Sequence, residues 1–279
     1  MSIPLSNPVT MAPKIAIVFY STWGHIKTIA QKEAEGIKSA GGTCDLYQIP
    51  ETLPEEVLTK MHAPPKDSSI PTLEDPATLE QYDAFLLGIP TRYGNFPAQW
   101  KAFWDKTGGQ WQNGAYWGKY AGVFVSTASQ GGGQESTVIA AMSTLAHHGI
   151  IYVPLGYKTT FGILADMSEV RGGSAWGAGT FAAADGSRQP SQKELDLAIA
   201  HGKQFYEAVN RVNFAQEPQQ QQKEQSAAPT GGDSGAAKPA GAAGAAGGSQ
   251  AQQTSDGPQQ REENESKGPC GLPFKCSVS

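Results

Sequence analysis

The sequence has few cysteines, little net charge and no long apolar run, and each shortage excludes a class of protein. Three cysteines in 279 residues do not make a disulfide framework or a zinc site. A net charge of -5 without any run of basic residues gives no electrostatic footprint for nucleic acid. No apolar stretch is long enough to cross a bilayer, and residues 1–13 lack the basic start and apolar core of a signal peptide. We therefore expect a cytosolic protein that does not bind nucleic acid.

Composition divides the chain into a foldable part and a low-complexity part. From about Ala215 to Lys267 the residues are mainly Gln, Ala, Gly, Ser and Pro, which cannot bury enough apolar surface to fold. The rest, about 200 residues, is ample for a hydrophobic core. We predict a flexible N-terminus at 1–12, a folded domain at 13–213, a disordered linker at 214–269 and a terminal lipidation signal at 270–279.

Apolar strands alternate with helical patterns through the predicted domain, which indicates a doubly wound parallel α/β sheet. Cys44 falls in the second strand, where we expect it to behave as a small buried hydrophobe. Ser191 followed by Glu194 has the pattern of a capping box at the start of the last helix. Strands are predicted at 14–20, 43–49, 84–89, 120–125 and 150–153, and helices at 26–40, 55–61, 98–106, 135–148 and from 191 onwards.

Three polar loops, at 21–26, 90–95 and 126–133, each follow a predicted strand. The carboxyl ends of parallel strands meet at one edge of a sheet, and ligands of such folds bind there. In the first loop, hydroxyls and Gly24 precede a helix N-terminus, which predicts a phosphate site. The loop has neither a P-loop lysine nor the Gly-x-Gly-x-x-Gly pattern, which favours flavin mononucleotide (FMN) over a nucleoside triphosphate. The alternative is an ordinary capped helix after a strand.

Six segments of the domain together resemble the WrbA family of flavodoxin-like NAD(P)H:quinone oxidoreductases, in particular its fungal members. The resemblance implies a flavodoxin-like sheet of order 2-1-3-4-5 with helices on both faces, bound FMN, NADH or NADPH as co-substrate, and a homotetramer or dimer. The segments are Tyr20-Ser-Thr-Trp-Gly-His-Ile26, Pro90-Thr-Arg-Tyr-Gly-Asn95, Thr107-Gly-Gly-Gln-Trp111, Gly131-Gly-Gly-Gln-Glu135, Thr144-Leu-Ala-His-His-Gly149 and Asp185-Gly-Ser-Arg-Gln-Pro-Ser191.

The resemblance also implies which residues bind FMN. The phosphate would sit on the first loop and the flavin ring would contact the other two. Arg92 places a cation near the ring edge and favours its anionic reduced form, the alternative being a surface salt bridge. The implied set is Ser21, Thr22, Trp23, Gly24, His25, Ile26, Thr91, Arg92, Tyr93, Asn95, Ser126, Thr127, Ala128, Ser129, Gln130, Gly131 and His147.

Two residues, His147 and Trp111, are implied to act in catalysis. His147 would donate a hydrogen bond to a quinone oxygen or settle the charge left after hydride transfer. On sequence grounds the neighbouring His148 is equally available, and a histidine at a helix end often serves only the helix dipole. Trp111 would close the site from a neighbouring subunit, the alternative being core packing.

Trp23 stands where bacterial family members have tyrosine, so it keeps a stacking surface for a nicotinamide nucleotide without the phenol hydroxyl. No acidic residue is placed after a Gly-rich turn to bind a ribose. We therefore expect the dinucleotide to bind transiently, in a ping-pong cycle with the quinone.

The last four residues, Cys276-Ser-Val-Ser279, fit a C-a-a-X prenylation signal whose final serine favours farnesyl. Stable anchoring takes two signals, and Cys270 is a candidate for palmitoylation, although both cysteines could be free thiols. We thus expect an enzyme at the cytoplasmic face of the cell membrane, with a cytosolic pool, that protects the membrane from quinone redox cycling. The alternatives are a flavodoxin-type electron carrier and a membrane-associated organising protein.

Overall fold

A computed structural model describes residues 11–214 of the chain. The strands are β1 (Ile15–Phe19), β2 (Cys44–Gln48), β3 (Ala84–Pro90), β4 (Tyr120–Thr127), β5 (Ile151–Tyr152) and β6 (Gly179–Phe181). The helices are α1 (His25–Ser39), α2 (Glu55–Lys60), α3 (Ala98–Asp105), α4 (Gly108–Gln112), α5 (Gln134–His147), α6 (Phe161–Leu164) and α7 (Gln192–Val209), with a 3-10 helix at Pro76–Gln81.

The strands form one parallel sheet in the order β2-β1-β3-β4-β5, which confirms the predicted flavodoxin-like order. The fifth position is shared by two short strands. β5 pairs with the start of β4 at Tyr120 and Ala121, and β6 pairs with its end at Val125–Thr127. The chain between them, residues 153–178, loops out of the sheet.

Alternate residues of β1 enter two separate cores, one on each face of the sheet. Ala16 and Val18 belong to the core that contains Trp100 of α3 and Leu145 of α5. The other core, which contains Ile17, is formed largely by α1 and α7. Because every residue of β1 is buried, the strand is covered on both sides, as expected of a central parallel strand.

Helices α1 and α7 approach each other closely, and this fixes the position of the loop that precedes α1. A Cβ on Gly36 would stand 2.1 Å from the Ile199 carbonyl oxygen, and one on Gly202 would stand 2.1 Å from that of Glu33. Only glycine leaves room for this contact. The carboxylate of Glu33 also meets His201 Nδ1 at 2.8 Å, with both side chains buried.

Strand β4 runs two residues further than predicted, so Ser126 and Thr127 are strand residues and not part of a loop. The reason is long-range pairing, because Ser126 pairs with Pro90 of β3 on one side and with Thr180 of β6 on the other. Cys44 lies in β2 as predicted but is half-buried. Burial raises the pKa of its thiol to about 11.

Within residues 11–214, no helix is both long and apolar enough to cross a membrane, and no three His, Cys, Asp or Glu side chains are grouped as metal ligands. The predicted linker and the lipidation cysteines Cys270 and Cys276 lie outside the described residues.

Candidate functional site

The first loop is built around a left-handed glycine at the start of α1. Gly24 has φ 93° and is the N-cap residue, and a Cβ added there would meet nothing within 4 Å. The hydroxyl of Ser21 accepts the Gly24 amide at 3.1 Å and the Lys27 amide at 3.4 Å. The amides of His25 and Ile26 belong to the first helical turn and have no acceptor within the helix. The loop therefore combines open space with outward-facing donors.

Thr22 shows that the loop suits an additional oxygen-rich ligand. Its side chain is buried, yet Oγ1 has no hydrogen-bond partner within the described part of the chain. A buried hydroxyl without a partner is costly. A phosphate held by the amides of this loop would supply the missing acceptor, so the residues present fit an FMN phosphate.

His25 was predicted to bind the cofactor, but its imidazole is used by the fold. Nε2 lies 2.7 Å from the carbonyl oxygen of Arg188, and since a carbonyl only accepts, Nε2 donates. This bond ties the first loop to residues 182–190, which follow β6. Only the backbone amide of His25 is left to serve a phosphate.

Trp23 joins the first loop to two more distant segments. Its Nε1 donates to the Met61 carbonyl at 3.1 Å. Its ring packs beside Gly186, where a Cβ would stand 3.8 Å from the indole Cγ. The side chain remains 38% exposed, so the edge of the site keeps an accessible indole face suited to stacking.

The second loop is a tight turn that presents a tyrosine to solvent. Arg92 and Asn95 exchange backbone hydrogen bonds of 3.0 Å, and the two residues between them, Tyr93 and Gly94, have φ values of 54° and 72°. Two consecutive positive φ angles define a type I′ turn. Tyrosine is rarely found there, and the conformation is a source of backbone strain. The Tyr93 ring is fully exposed.

Arg92 is held in the second loop by its own backbone and not by a carboxylate. Nη1 donates to the Thr91 carbonyl at 2.9 Å, and no acidic partner of Arg92 occurs among residues 11–214. The salt-bridge alternative is therefore wrong for this part of the chain. The guanidinium remains available to an anionic or electron-rich ligand.

The third loop is attached to the second by hydroxyl and backbone contacts. Thr91 Oγ1 lies 2.7 Å from Thr137 Oγ1 in α5, and the Thr91 amide donates to the Ser126 carbonyl at 2.9 Å. Thr127 is buried and donates to the Ser129 carbonyl at 3.0 Å. Four residues of the predicted set then form an exposed rim: Ala128, Ser129, Gln130 and Gly131.

The two predicted catalytic residues lie at the opposite edge of the sheet. His147 ends α5, whose 14 residues span about 20 Å from the third loop. It precedes by four residues Ile151, which pairs with Tyr120 at the start of β4. Trp111 is in α4 and is 61% exposed, and the adjacent Gln110 donates to Glu80, before β3 begins. A single chain therefore does not bring either residue to the three loops.

The adjacent histidines His147 and His148 have different environments. His148 Nε2 bonds to the Thr107 hydroxyl at 2.9 Å, its ring packs against Trp104 and Tyr116, and burial lowers its pKa. His147 is exposed, and its Nδ1 donates to the Ser143 carbonyl at 2.7 Å. Because Nδ1 carries that proton, a neutral His147 presents Nε2 as an acceptor.

Sequence reasoning missed a polar cluster beneath the first two loops. Tyr20 lies in one of the matching segments without a predicted role, yet its hydroxyl donates to Glu51 at 2.9 Å. Glu51 and Lys66 lie on either side of the short helix α2, in stretches where no helical or strand pattern predicts a side-chain position. The charges themselves were the only available signal.

Comparison with known proteins identifies the family. The family model described as NADPH-dependent FMN reductase matches residues 13–160. The minor allergen Cla h 7 of Davidiella tassiana is 74% identical over 204 residues, 73% of this chain and 100% of the relative. The NAD(P)H quinone oxidoreductase PST3 of Candida albicans is 55% identical over 201 residues, 72% of this chain and 100% of the relative.

Among solved structures, the WrbA-like flavodoxin from Agrobacterium tumefaciens aligns with a TM-score of 0.49 and 23% identity over 72% of this chain and 99% of that one. The family model alone covers more than half of the chain, and the two relatives match it over nearly their whole length. The chain therefore belongs to the NADPH-dependent FMN reductase family.

Proposed function

We propose that this protein uses FMN to reduce quinones by two electrons at the expense of NAD(P)H. The single observation that carries the proposal is the convergence of three loops at one sheet edge: a cradle with a buried, unpartnered Thr22 hydroxyl, an unpaired Arg92 and an exposed Tyr93 ring. Membership of the FMN reductase family and the name of the Candida albicans relative support it.

Each loop has a separate task in this proposal. The amides of the first loop and the Thr22 hydroxyl hold the phosphate, while the flat face of Tyr93 packs on the flavin. Arg92 stabilises negative charge at the ring edge. FMN itself supplies the transfer of two electrons from nicotinamide to quinone. Trp23 offers the nicotinamide nucleotide a stacking surface beside the site.

We propose further that a second chain completes the site. Trp111 and His147 lie about one helix length, roughly 20 Å, from the loops of their own chain, so they reach a flavin only in an oligomer. An exposed Trp111 would form one wall of a narrow slot for flat substrates. His147 would accept a hydrogen bond through Nε2 when neutral and donate one only when protonated.

The decisive assay is FMN content together with NADH and NADPH oxidation by benzoquinone. Parallel lines in double-reciprocal plots would support the ping-pong order. Bound FMN without direct NAD(P)H oxidation would refute the enzyme and favour an electron carrier, and a protein that takes up no FMN would favour an organising role.

Oligomer completion has its own test. Trp111→Ala and Arg92→Gln chains should each be poorly active, and a mixed oligomer should regain activity, because some sites combine an intact loop edge with an intact Trp111. No recovery on mixing, in oligomers of confirmed mixed composition, would contradict a shared site.

We also propose that lipids on Cys276 and Cys270 hold the enzyme at the cytoplasmic face of the cell membrane, where quinone reduction would limit redox cycling. Cys276→Ser should move the protein from the membrane pellet to the soluble fraction, whereas Cys44→Ser should not. A Cys276→Ser protein that stays in the pellet would overturn the prenylation proposal.

A further inference from the structure

Glu51 links the first two loops of the site. It accepts the Tyr20 hydroxyl at 2.9 Å through Oε2 and the Gln99 side-chain amide at 3.1 Å through Oε1. Tyr20 is the last residue before the first loop, and Gln99 lies in the first turn of α3, directly after the second. One carboxylate therefore bridges the two loops assigned to the FMN phosphate and ring.

Glu51 is ionised despite being partly buried. Burial opposes its ionisation, but the amides of Leu53 and Thr52, at 3.1 and 2.9 Å, together with Tyr20, outweigh that effect and hold the pKa of Glu51 below its usual value. A carboxylate that accepts several hydrogen bonds is stabilised in its charged form. The site thus contains a fixed negative charge beneath the loops.

Lys66 is the counter-ion of this carboxylate. Its Nζ is 3.9 Å from Glu51 Oε2, donates to the Ile49 carbonyl at 3.1 Å, and stands 4.7 Å from the centre of the Tyr20 ring. Burial lowers the pKa of Lys66, and Glu51 acts against this shift. Glu51 therefore favours the charged form of Lys66.

Glu51 and Arg92 both act on the hydroxyl of Tyr20. Burial raises the pKa of the Tyr20 hydroxyl to about 12, and Glu51 adds to the shift, while the Thr22 side chain and, more weakly, the charge of Arg92 oppose it. Glu51, Lys66 and Arg92 thus act on one phenol. With Glu51 and Lys66 cancelling each other, Arg92 is the cation left to act on a ring in the second loop.

We propose that Glu51 and Lys66 form a charge-balanced pair of positioning residues that sets the reduction potential of FMN. The inference rests on the FMN site proposed above. FMN that takes up two electrons and one proton gains one negative charge. Loss of Glu51's charge would leave two cations near that anion and raise the potential, whereas loss of Lys66's charge would lower it.

The test uses Glu51→Gln, Lys66→Gln and the double variant in the full chain reconstituted with FMN. Exposed Glu55→Gln, in the same segment, is the matched control. Potentials are measured by reductive titration with dithionite against indicator dyes, and FMN affinity by fluorescence quenching. In Glu51→Gln the side-chain carbonyl can still accept the Tyr20 hydroxyl, so the variant removes the charge of Glu51 and keeps the hydrogen bond.

We expect Glu51→Gln to favour reduced FMN by about tenfold, an upward shift of about 30 mV for a two-electron couple. Lys66→Gln should shift the potential down by a similar amount, and the double variant should return to the wild-type value. Structural damage alone would not give opposite signs that cancel. If one variant fails to fold, the direction in which the other variant shifts the potential still tests the proposal.

Shifts of the same sign, or unchanged potentials with FMN bound, would overturn the pairing and leave the proposed function intact. Wild-type protein that binds no FMN would instead refute the proposed function, and this inference with it.

Discussion

Tyr93 should lower the stability of the protein while it strengthens FMN binding, and both effects can be measured. Its φ of 54° places a fully exposed tyrosine in the left-handed region, which costs a non-glycine residue about 1–2 kcal/mol. Tyr93→Gly removes that strain and loses no buried surface. The greater freedom of glycine in the unfolded chain returns about 0.5–1 kcal/mol. We therefore expect a net gain of about 0.5–1 kcal/mol in the free energy of unfolding of the FMN-free protein, or about 2 °C in Tm.

FMN binding should change in the opposite direction. Loss of aromatic stacking typically costs about 1–3 kcal/mol, so we expect the Kd for FMN to rise about 5- to 150-fold in Tyr93→Gly. Thermal unfolding followed by circular dichroism and fluorescence titration with FMN measure the two effects separately. Tyr93→Phe keeps both ring and strain and should change neither. Tyr157→Gly removes an exposed tyrosine whose φ is not positive and should not stabilise.

A lower Tm for FMN-free Tyr93→Gly would show that the turn is not strained in solution. An unchanged Kd for FMN would show that the exposed ring does not contact the cofactor. Either result would refute the argument that strain in the second loop is maintained for binding.

Three further predictions concern other sites. Gly24→Ala and Gly41→Ala both place alanine at a positive φ with open space around it, so each should lower the free energy of unfolding by about 1 kcal/mol. Only Gly24→Ala should weaken FMN binding in titration, and equal FMN affinities of the two variants would contradict the assignment of the first loop to the phosphate. The pKa of Cys44 is raised to about 11 from 9.0, so at pH 8 its thiol should react with iodoacetamide about 100-fold more slowly than an unperturbed thiol, and the rate should rise about tenfold per pH unit. Peptide mass spectrometry measures the labelling rate, and labelling as fast as that of an unperturbed thiol would disprove the prediction. The buried carboxylate of Glu194 accepts hydrogen bonds from five donors, among them Arg188. Glu194→Ala should therefore lower the free energy of unfolding by about 3–5 kcal/mol and the Tm by about 10 °C, and a drop in Tm under 2 °C in thermal unfolding would refute this.

The sequence predicts the long elements well because their patterns are local. Helix α1 was expected from 26 to 40 and runs from His25 to Ser39, and the Ser191 capping box is present. Strand β6 was missed because its three residues lie in a Gly-rich segment and exist as a strand only through pairing with β4. Helix α4 was missed because two of its five residues are glycine, which weakens any helical prediction.

The candidate site shows the same division between local and long-range information. That the three loops converge follows from parallel topology alone. That the His25 ring is engaged within the fold follows from a hydrogen bond to a residue 163 positions away, which no local pattern predicts. The left-handed Tyr93 is also unpredictable, since tyrosine has no preference for that conformation.

His147 and His148 show why residue identity alone could not choose between two candidate catalytic groups. One residue along a helix rotates a side chain by about 100°, so of two neighbouring histidines only one can face the core. The ring of His148 packs against Trp104 and bonds to Thr107, which leaves His147 at the surface. Because the exposed ring lies at the sheet edge opposite the loops, the proposed catalytic role of His147 requires a second chain. Catalysis by His147 therefore presupposes an oligomer, and the mixed-oligomer experiment with Trp111→Ala and Arg92→Gln chains tests that premise.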